Sequence, residues 1–374
     1  MRRLWIIYFA VLIICLVYSR SGQAEKKKCV TIVTIIMTLG SGLRTWWYGD
    51  LVKYYTRFLT ESSLSLREVI ATSGLRNIGL TLLNKFAYSL FGEYGYDVLL
   101  FCIALFSAYT LGMVIVAYSP SAYWSYLMYF SMGFYVFTLS GLKQTIAMGF
   151  CCMAMIALLR DNFKQFIILV IIGGLFHAPA LIFAIAYPLS RKKYDAWYFI
   201  LVSAMMIAMY FYRDQLAYYL EDVYHSEQSA EAILAIDSSG VGGRFIGMLM
   251  ILVLAIWLRP LTTKDTVYSK VFSIMILAAV IQLMSVFSNT YTRLADYFYQ
   301  FIVLFVPMFL RPITRKNELL YRRGNALLQN NEFRLALSVG ITIFSIWFYY
   351  WQLSSIQSNT IMLFFWEKNG HLLY

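Results

Sequence analysis

The sequence predicts an all-α, polytopic integral membrane protein, on three observations. Hydrophobic residues make up 60% of the 374 positions and charged residues only 13%, against roughly 45–50% and 25% in soluble domains. Aromatic residues reach 18%, mostly 30 Tyr and 28 Phe, and a soluble fold of this length would expose large apolar patches. Apolar segments of membrane length recur along the chain, with basic clusters between them. A cytosolic enzyme, a secreted disulfide scaffold and a disordered tail are excluded.

A bilayer core of roughly 30 Å takes about 20 apolar residues per helix, with shorter spans tolerated. Such stretches run near 4–18, 30–43, 97–117, 121–139, 141–159, 165–177, 178–190, 196–211, 245–258, 269–288, 294–310 and 334–352. They amount to about twelve transmembrane helices in a single polytopic domain over 1–374. The run 165–190 reads equally well as one long kinked helix, because Gly173, Gly174, His177 and Pro179 interrupt it. The first segment has Arg2 and Arg3 before its apolar stretch and Ser21-Gly22-Gln23-Ala24 after it, as signal peptides do. Lys26, Lys27 and Lys28 follow at once, and such a cluster resists translocation. A retained first helix is therefore expected.

Orientation follows from the basic clusters. With 19–29 inside, alternation brings Arg160 and Lys164, then Arg191 to Lys193, then Arg259, Lys264 and Lys270, to the same side. The group Arg311, Arg315, Lys316, Arg322, Arg323 and Arg334 joins them. The outer face is then electrically balanced, and Arg2 and Arg3 are its discordant residues. Two longer loops, about 44–95 and 212–243, fall outside. In the first, Ile78 to Phe91 places Leu80, Leu83, Phe86, Ala87 and Leu90 at helical spacing and reads as a helix lying along the interface. The second is acidic, with Asp214, Glu221, Asp222, Glu227, Glu231 and Asp237.

Net charge is +12. In a soluble protein this would suggest nucleic acid; here the basic residues mark cytoplasmic loops, and no nucleic-acid partner is expected. Cys15, Cys29, Cys102, Cys151 and Cys152 lie in or beside apolar segments and read as packing residues. His177, His225 and His371 are far apart and form no metal-ligand pattern, so neither a metal nor another cofactor is expected. The Walker loop, the dinucleotide fingerprint, the G-x-S-x-G elbow and the H-E-x-x-H helix are all missing from the sequence.

Four basic residues stand against the positive-inside pattern. Arg44 ends the second span, Lys143 starts the fifth, Arg244 the ninth and Arg293 the eleventh. Each reads either as a snorkelling helix end or as part of one cationic cavity opening outward, because charge at that depth is costly unless paired or wet. A ring of this kind suits a lipid-linked phosphate or diphosphate. Asp50, His177 and Asp296 are the acid–base candidates around it, and Gln144 adds a neutral hydrogen-bonding group. His177 sits at a helix break and reads as structural or catalytic. Asp296, three residues after Arg293, shares its face and can pair with it. Trp46, Trp47, Tyr48 and Tyr54 around Asp50 read as a sugar-stacking site or as an interfacial aromatic belt.

At these residues the chain resembles a known family. Ser140-Gly-Leu-Lys-Gln-Thr-Ile-Ala147, then Arg160 to Lys164, then Gly174-Leu-Phe-His-Ala-Pro-Ala-Leu181 resemble the EpsG-like family. These are multi-pass polymerases of bacterial exopolysaccharide and capsule synthesis with a Wzy-type, O-antigen-polymerase-like function. Gly42-Leu-Arg44, Gly49-Asp50 with Tyr54, Glu93-Tyr-Gly-Tyr96 and Arg293-Leu-Ala-Asp-Tyr297 extend the resemblance over roughly 40–310. Two departures stand out. Lys143 replaces the family's usual Arg, keeping the charge but losing the planar fork, and the Gly-Asp pair is closer than the usual Gly-x-Asp.

The resemblance implies a metal-independent membrane glycosyltransferase with a GT-C-like helical architecture. It would join polyprenyl-diphosphate-linked oligosaccharide repeat units on the outer face of the cytoplasmic membrane, which is the inner membrane if the host is Gram-negative. Its partners would be membrane lipid and other polysaccharide assembly proteins. On that reading the growing chain on undecaprenyl diphosphate is the donor and a hydroxyl of a new unit the acceptor. Arg44, Lys143, Arg244 and Arg293 would stabilise the departing diphosphate, with Gln144 and Asp296 beside them, and Asp50 or His177 would take the acceptor proton. Composition suits a flippase for lipid-linked oligosaccharide equally, although the nearly charge-free mid-span positions favour the enzyme. A membrane acyltransferase using His177 is the third reading.

Overall fold

The computed structural model describes residues 2–19, 22–46, 50–73, 77–191, 196–212, 215, 243–258, 265–286, 290–314, 331–355 and 364. Among them there is no strand; one isolated antiparallel bridge joins Arg44 to Phe364. The helices are α1 (Arg2–Val17), α2 (Gln23–Gly42), α3 (Asp50–Ser63), α4 (Leu66–Ser73), α5 (Ile78–Phe91), α6 (Gly95–Tyr118), α7 (Ala122–Ser131), α8 (Phe134–Phe137) and α9 (Leu142–Leu159). They continue with α10 (Phe163–Phe176), α11 (Ala186–Ser190), α12 (Ala196–Phe211), α13 (Gly243–Leu258), α14 (Thr266–Leu283), α15 (Thr290–Tyr299), α16 (Ile302–Thr314) and α17 (Asn331–Ser355). A 3₁₀ turn, Ala178–Ile185, links α10 to α11.

Among the described residues the apolar stretches are largely helical, but the helices are shorter and more often broken than about twelve expected spans would require. Four helical runs among the described residues are long and apolar enough to cross a membrane, and five if a bent pair counts as one. A 14-residue helix such as α10 rises only about 21 Å, short of the roughly 30 Å core. The breaks have local causes. Gly133, at φ +79°, separates α7 from α8 in a left-handed conformation that other residues adopt only at a cost. The run 165–190 is divided at His177, where Pro179 ends the α-helical ladder. The expected span 294–310 starts earlier and bends by 48° between α15 and α16.

The helix α9 is the axis of the bundle. Burial covers 83% of it, against 17% of the peripheral α17. On one side α9 packs on α6, which packs on α2; on the other it meets α10. The helices α1, α16 and α17 pack around α7, and α14 packs on α13 and α15. One large apolar core runs through these helices. A second, smaller core joins Leu51 and Phe58 of α3 and Leu80 of α5 to Tyr96 and Leu100 of α6, and to Leu142 and Ile146 of α9. The helices α3 and α5 therefore form a cap over the start of α9.

The helix expected over Ile78 to Phe91 has those bounds, but its apolar stripe is divided between a buried and an exposed face. Leu80 and Ala87 are buried together with the polar Thr81 and Asn84, while Phe86 and Leu90 face outward. A polar anchor on α3 turns the polar face inward and leaves apolar side chains on the outside, the arrangement a lipid environment favours. The cysteines are free thiols, four of them buried, whereas Cys102 is exposed. The acidic loop expected over 212–243, with Asp214 to Asp237, lies outside the described residues, apart from its ends and Gln215. So do Arg20, Trp47, Tyr48, Gly49, Lys192, Lys193, His225, Arg259, Lys264, His371 and the segment from Arg315 to Arg323.

Candidate functional site

The first turn of α9 is the centre of the site. Leu142 begins the helix after a tight Ser140-Gly141 turn, where a Cβ on Gly141 would fall 2.5 Å from the Phe137 ring. Arg44 holds this turn from below. It is 1% exposed and donates to the carbonyl oxygens of Leu139 (2.9 Å), Thr138 (3.4 Å) and Ser41. Its guanidinium thus fixes the backbone that presents Lys143 and Gln144. Gln144 is buried and donates Nε2–H to the backbone carbonyl of Arg293 at 2.7 Å, so α9 is tied directly to α15.

The helix α3 brings a second set of groups over Lys143. The ammonium lies 5.8 Å from the centre of the Tyr54 ring. Burial, with the Asp50 carboxylate adding to it, pushes the Tyr54 phenol up to about 12, so it stays a neutral donor in the physiological range. Asp50 opens α3 and is exposed. One turn further, Arg57 Nε donates to Glu61 Oε1 at 2.5 Å. Glu61, buried, also accepts from Thr81 Oγ1 (3.1 Å) and Asn84 Nδ2 (3.0 Å) of α5. Trp46 stacks on Tyr55 at 3.7 Å, and the Tyr96 hydroxyl donates to the Leu51 carbonyl at 3.0 Å.

The third wall is α15 with α13. Asp296 pairs with Arg244 at 2.5 Å, not with Arg293 as the spacing of three suggested. Partner choice here is set by how α13 packs beside α15, which overrides the intrahelical option. The Arg244 guanidinium also lies over the Phe134 ring at 5.4 Å and the Tyr299 ring at 5.1 Å, and its Nε is buried without a hydrogen-bond partner among the described residues. His177, at the break after α10, is buried and joins Nδ1 to the Tyr297 hydroxyl of α15.

These walls share one electrostatic field. The charges of Arg57, Glu61, Asp50 and Arg293 act on Lys143, and those of Lys143 and Arg293 act on His177. Arg244 and Arg293 act together on Asp296. With Arg57 held by Glu61 and Arg244 by Asp296, Lys143 and Arg293 have no ion-pair partner among the described residues. Lys143, Arg244 and Arg293 also stand in the first turns of α9, α13 and α15. The helix macrodipole is positive there, which disfavours a cation by about 0.3–1 kcal/mol and favours a bound anion. Three cations at three positive helix ends make a site that an anion relieves. Among the described residues, no three His, Cys, Asp or Glu side chains gather in a metal-binding group.

Of the residues singled out in the sequence, Asp50, Lys143, His177, Arg244, Arg293 and Asp296 converge, and Gln144 holds two of the walls together. Arg44 lies one layer below, on the backbone. Arg57, Glu61 and Tyr297 complete the site. The sequence signal for the first two was an i,i+4 acid–base pair opposite two polar residues three apart on α5, in a chain otherwise poor in charge.

A sequence model of the EpsG family matches residues 27–322, a stretch that contains every side chain named in this site. No curated protein and no solved structure matches the chain. The family and the apolar helices together support a membrane protein with a role in polysaccharide biosynthesis and a lipid-linked sugar as substrate. With a match over most of its length that encloses the whole candidate site, the chain belongs to the EpsG family.

Proposed function

We propose that the protein polymerises polyprenyl-diphosphate-linked oligosaccharide repeat units on the outer face of the cytoplasmic membrane, crossing it about twelve times in a GT-C-like arrangement. The carrier is undecaprenyl diphosphate, and the product is an exopolysaccharide or capsule chain. One observation carries the reading: Lys143 and Arg293, both without an ion-pair partner among the described residues, stand at positive helix ends, and the charges of Arg293 and Asp50 both act on Lys143. That is a receptor for a multiply charged anion beside an exposed carboxylate.

In the proposed step an acceptor hydroxyl oxygen bonds to the anomeric carbon of the growing chain. The bond from that carbon to the diphosphate oxygen breaks, and its electron pair leaves with the diphosphate. Lys143 and Arg293, with the free Nε of Arg244, stabilise the charge building on the leaving group, the task a metal performs in other phosphate chemistry. Asp50 takes the acceptor proton, since it is exposed, whereas His177 is buried on Tyr297 and acts as a positioning residue. Arg44 and Glu61 are positioning residues for Lys143 and Arg57.

The full chain in proteoliposomes supplied with polyprenyl-diphosphate-linked repeat units tests this. Polymer and free polyprenyl diphosphate are the expected products. Lys143→Ala and Arg293→Ala should each lower the rate by about 10²–10³. Transfer of intact units across the bilayer with no polymer would make the protein a flippase and remove the catalytic roles.

A further inference from the structure

At the end of the bundle remote from Lys143, an open groove of about 600 Å³ runs along α6 between α2 and α9. Its walls include Ile35, Leu105 and Tyr109, which are 53%, 44% and 57% exposed. Gly112 lies at its floor, where a Cβ would come within 2.9 Å of Val30. Lys27 and Arg160 stand at its end. About 17 residue steps along α9 separate Arg160 from Lys143 by about 26 Å, close to the thickness of a bilayer core. The two basic groups therefore mark opposite interfaces.

The charge balance at this end is uneven. Lys28 is paired with Glu25 at 2.6 Å, and Asp161 is held by Lys270 at 2.7 Å and Arg191 at 3.3 Å. Lys27 and Arg160, on the groove itself, are both exposed and have no ion-pair partner among the described residues. An apolar channel with two unneutralised cations at its mouth, on the basic side of a membrane protein, complements a lipid with an anionic head.

We propose that this groove binds one anionic phospholipid of the cytoplasmic leaflet, with its phosphate at Lys27 and Arg160 and an acyl chain along α6. Each basic group at such a surface strengthens binding by about fivefold. Moderate affinity of this size matches an abundant bilayer lipid and not a scarce carrier, which the three-walled site at the other end is built to hold.

Native mass spectrometry of the full-length protein titrated with phosphatidylglycerol, phosphatidylcholine and a polyprenyl phosphate tests the assignment. One phosphatidylglycerol should bind in preference to the other two. Lys27→Ala/Arg160→Ala should weaken it by about 25-fold, and Lys164→Ala, an exposed control at the same end outside the groove, should leave it unchanged. Equal binding by wild type and double variant, equal binding of phosphatidylcholine, or preference for the polyprenyl phosphate would each overturn the proposal. A photoreactive phosphatidylglycerol applied to the unaltered protein supplies a readout independent of variant folding. It should label the segment from Leu105 to Met113, and labelling confined to other segments would overturn it.

Discussion

Replacing Glu61 by Leu probes how the cap of the site is held. The carboxylate side chain is 7% exposed, so little water reaches it, whereas that of its partner Arg57 is 28% exposed. The change removes the acceptor for Arg57 at 2.5 Å, Thr81 at 3.1 Å and Asn84 at 3.0 Å. Breaking a buried ion pair by deleting one member costs about 3–5 kcal/mol. Stranding buried hydroxyl and amide donors costs about 1–3 kcal/mol each where water cannot reach them. Because Arg57 is partly exposed and can turn toward solvent, the ion-pair part should fall near its lower bound of about 3 kcal/mol, and the two stranded donors bring the expected total to about 5 kcal/mol. The double variant Arg57→Leu/Glu61→Leu should recover part of that, since it leaves no unpaired charge. Thermal unfolding of the full-length protein in nanodiscs, read by tryptophan fluorescence, gives the comparison. The single variant should melt below the double variant and below Glu61→Gln, which keeps one oxygen for Arg57. A single variant as stable as the double would refute the buried-charge reasoning, and α3 would then be held on α5 by its apolar contacts alone.

The other predictions concern separate parts of the molecule. Gly133→Ala should cost about 1–2 kcal/mol from the left-handed backbone and more from displacing Gln352, whose amide oxygen lies 2.1 Å from the new Cβ and whose Nε2 donates to the Ser131 carbonyl; the melting temperature of the variant checks it. Asp161 closes α9 in a left-handed conformation at φ 59°, and its hydrogen bond to Lys270, aided by Arg191, holds its carboxyl below the ordinary 3.8. Its contribution is therefore full above 3.8 and is lost as pH falls through the lower folded value; in Asp161→Asn the acid limb of the stability profile should flatten. Lys143→Arg should retain most polymer formation in the proteoliposome assay, because charge is kept and a bidentate fork is gained, and Tyr297→Phe should lower the rate and also the melting temperature, since it strands the buried His177 Nδ1 at a cost of about 1–3 kcal/mol.

The sequence is most informative where one-dimensional pattern and local chemistry coincide. Helix bounds such as Ile78–Phe91 and Leu142–Leu159 follow from apolar spacing and from turns at Asn77 and Ser140-Gly141. Cations at the starts of separate helices stand out because they violate the charge pattern of the rest of the chain, and the fold brings Lys143, Arg244 and Arg293 to one end. What spacing does not fix is which neighbour a side chain meets. The residue Asp296 is three positions from Arg293, yet it pairs with Arg244, fifty-two positions away. Periodicity on α5 identifies two faces but not which is buried, since in lipid the apolar face is free to look outward; Thr81 and Asn84 decide it by bonding to Glu61. The role of Arg44 was hidden for a related reason, because its partners are backbone carbonyls that carry no residue signature.

The most direct test of the central claim is the lipid-linked saccharide pool of a strain lacking this protein, with the membrane face of each species determined. The account predicts single repeat units on undecaprenyl diphosphate accumulating on the outer face, reversed by the wild-type chain and not by Lys143→Ala. Units trapped on the cytoplasmic face would contradict it, and the cations at the starts of α9, α13 and α15 would then belong to a transport path.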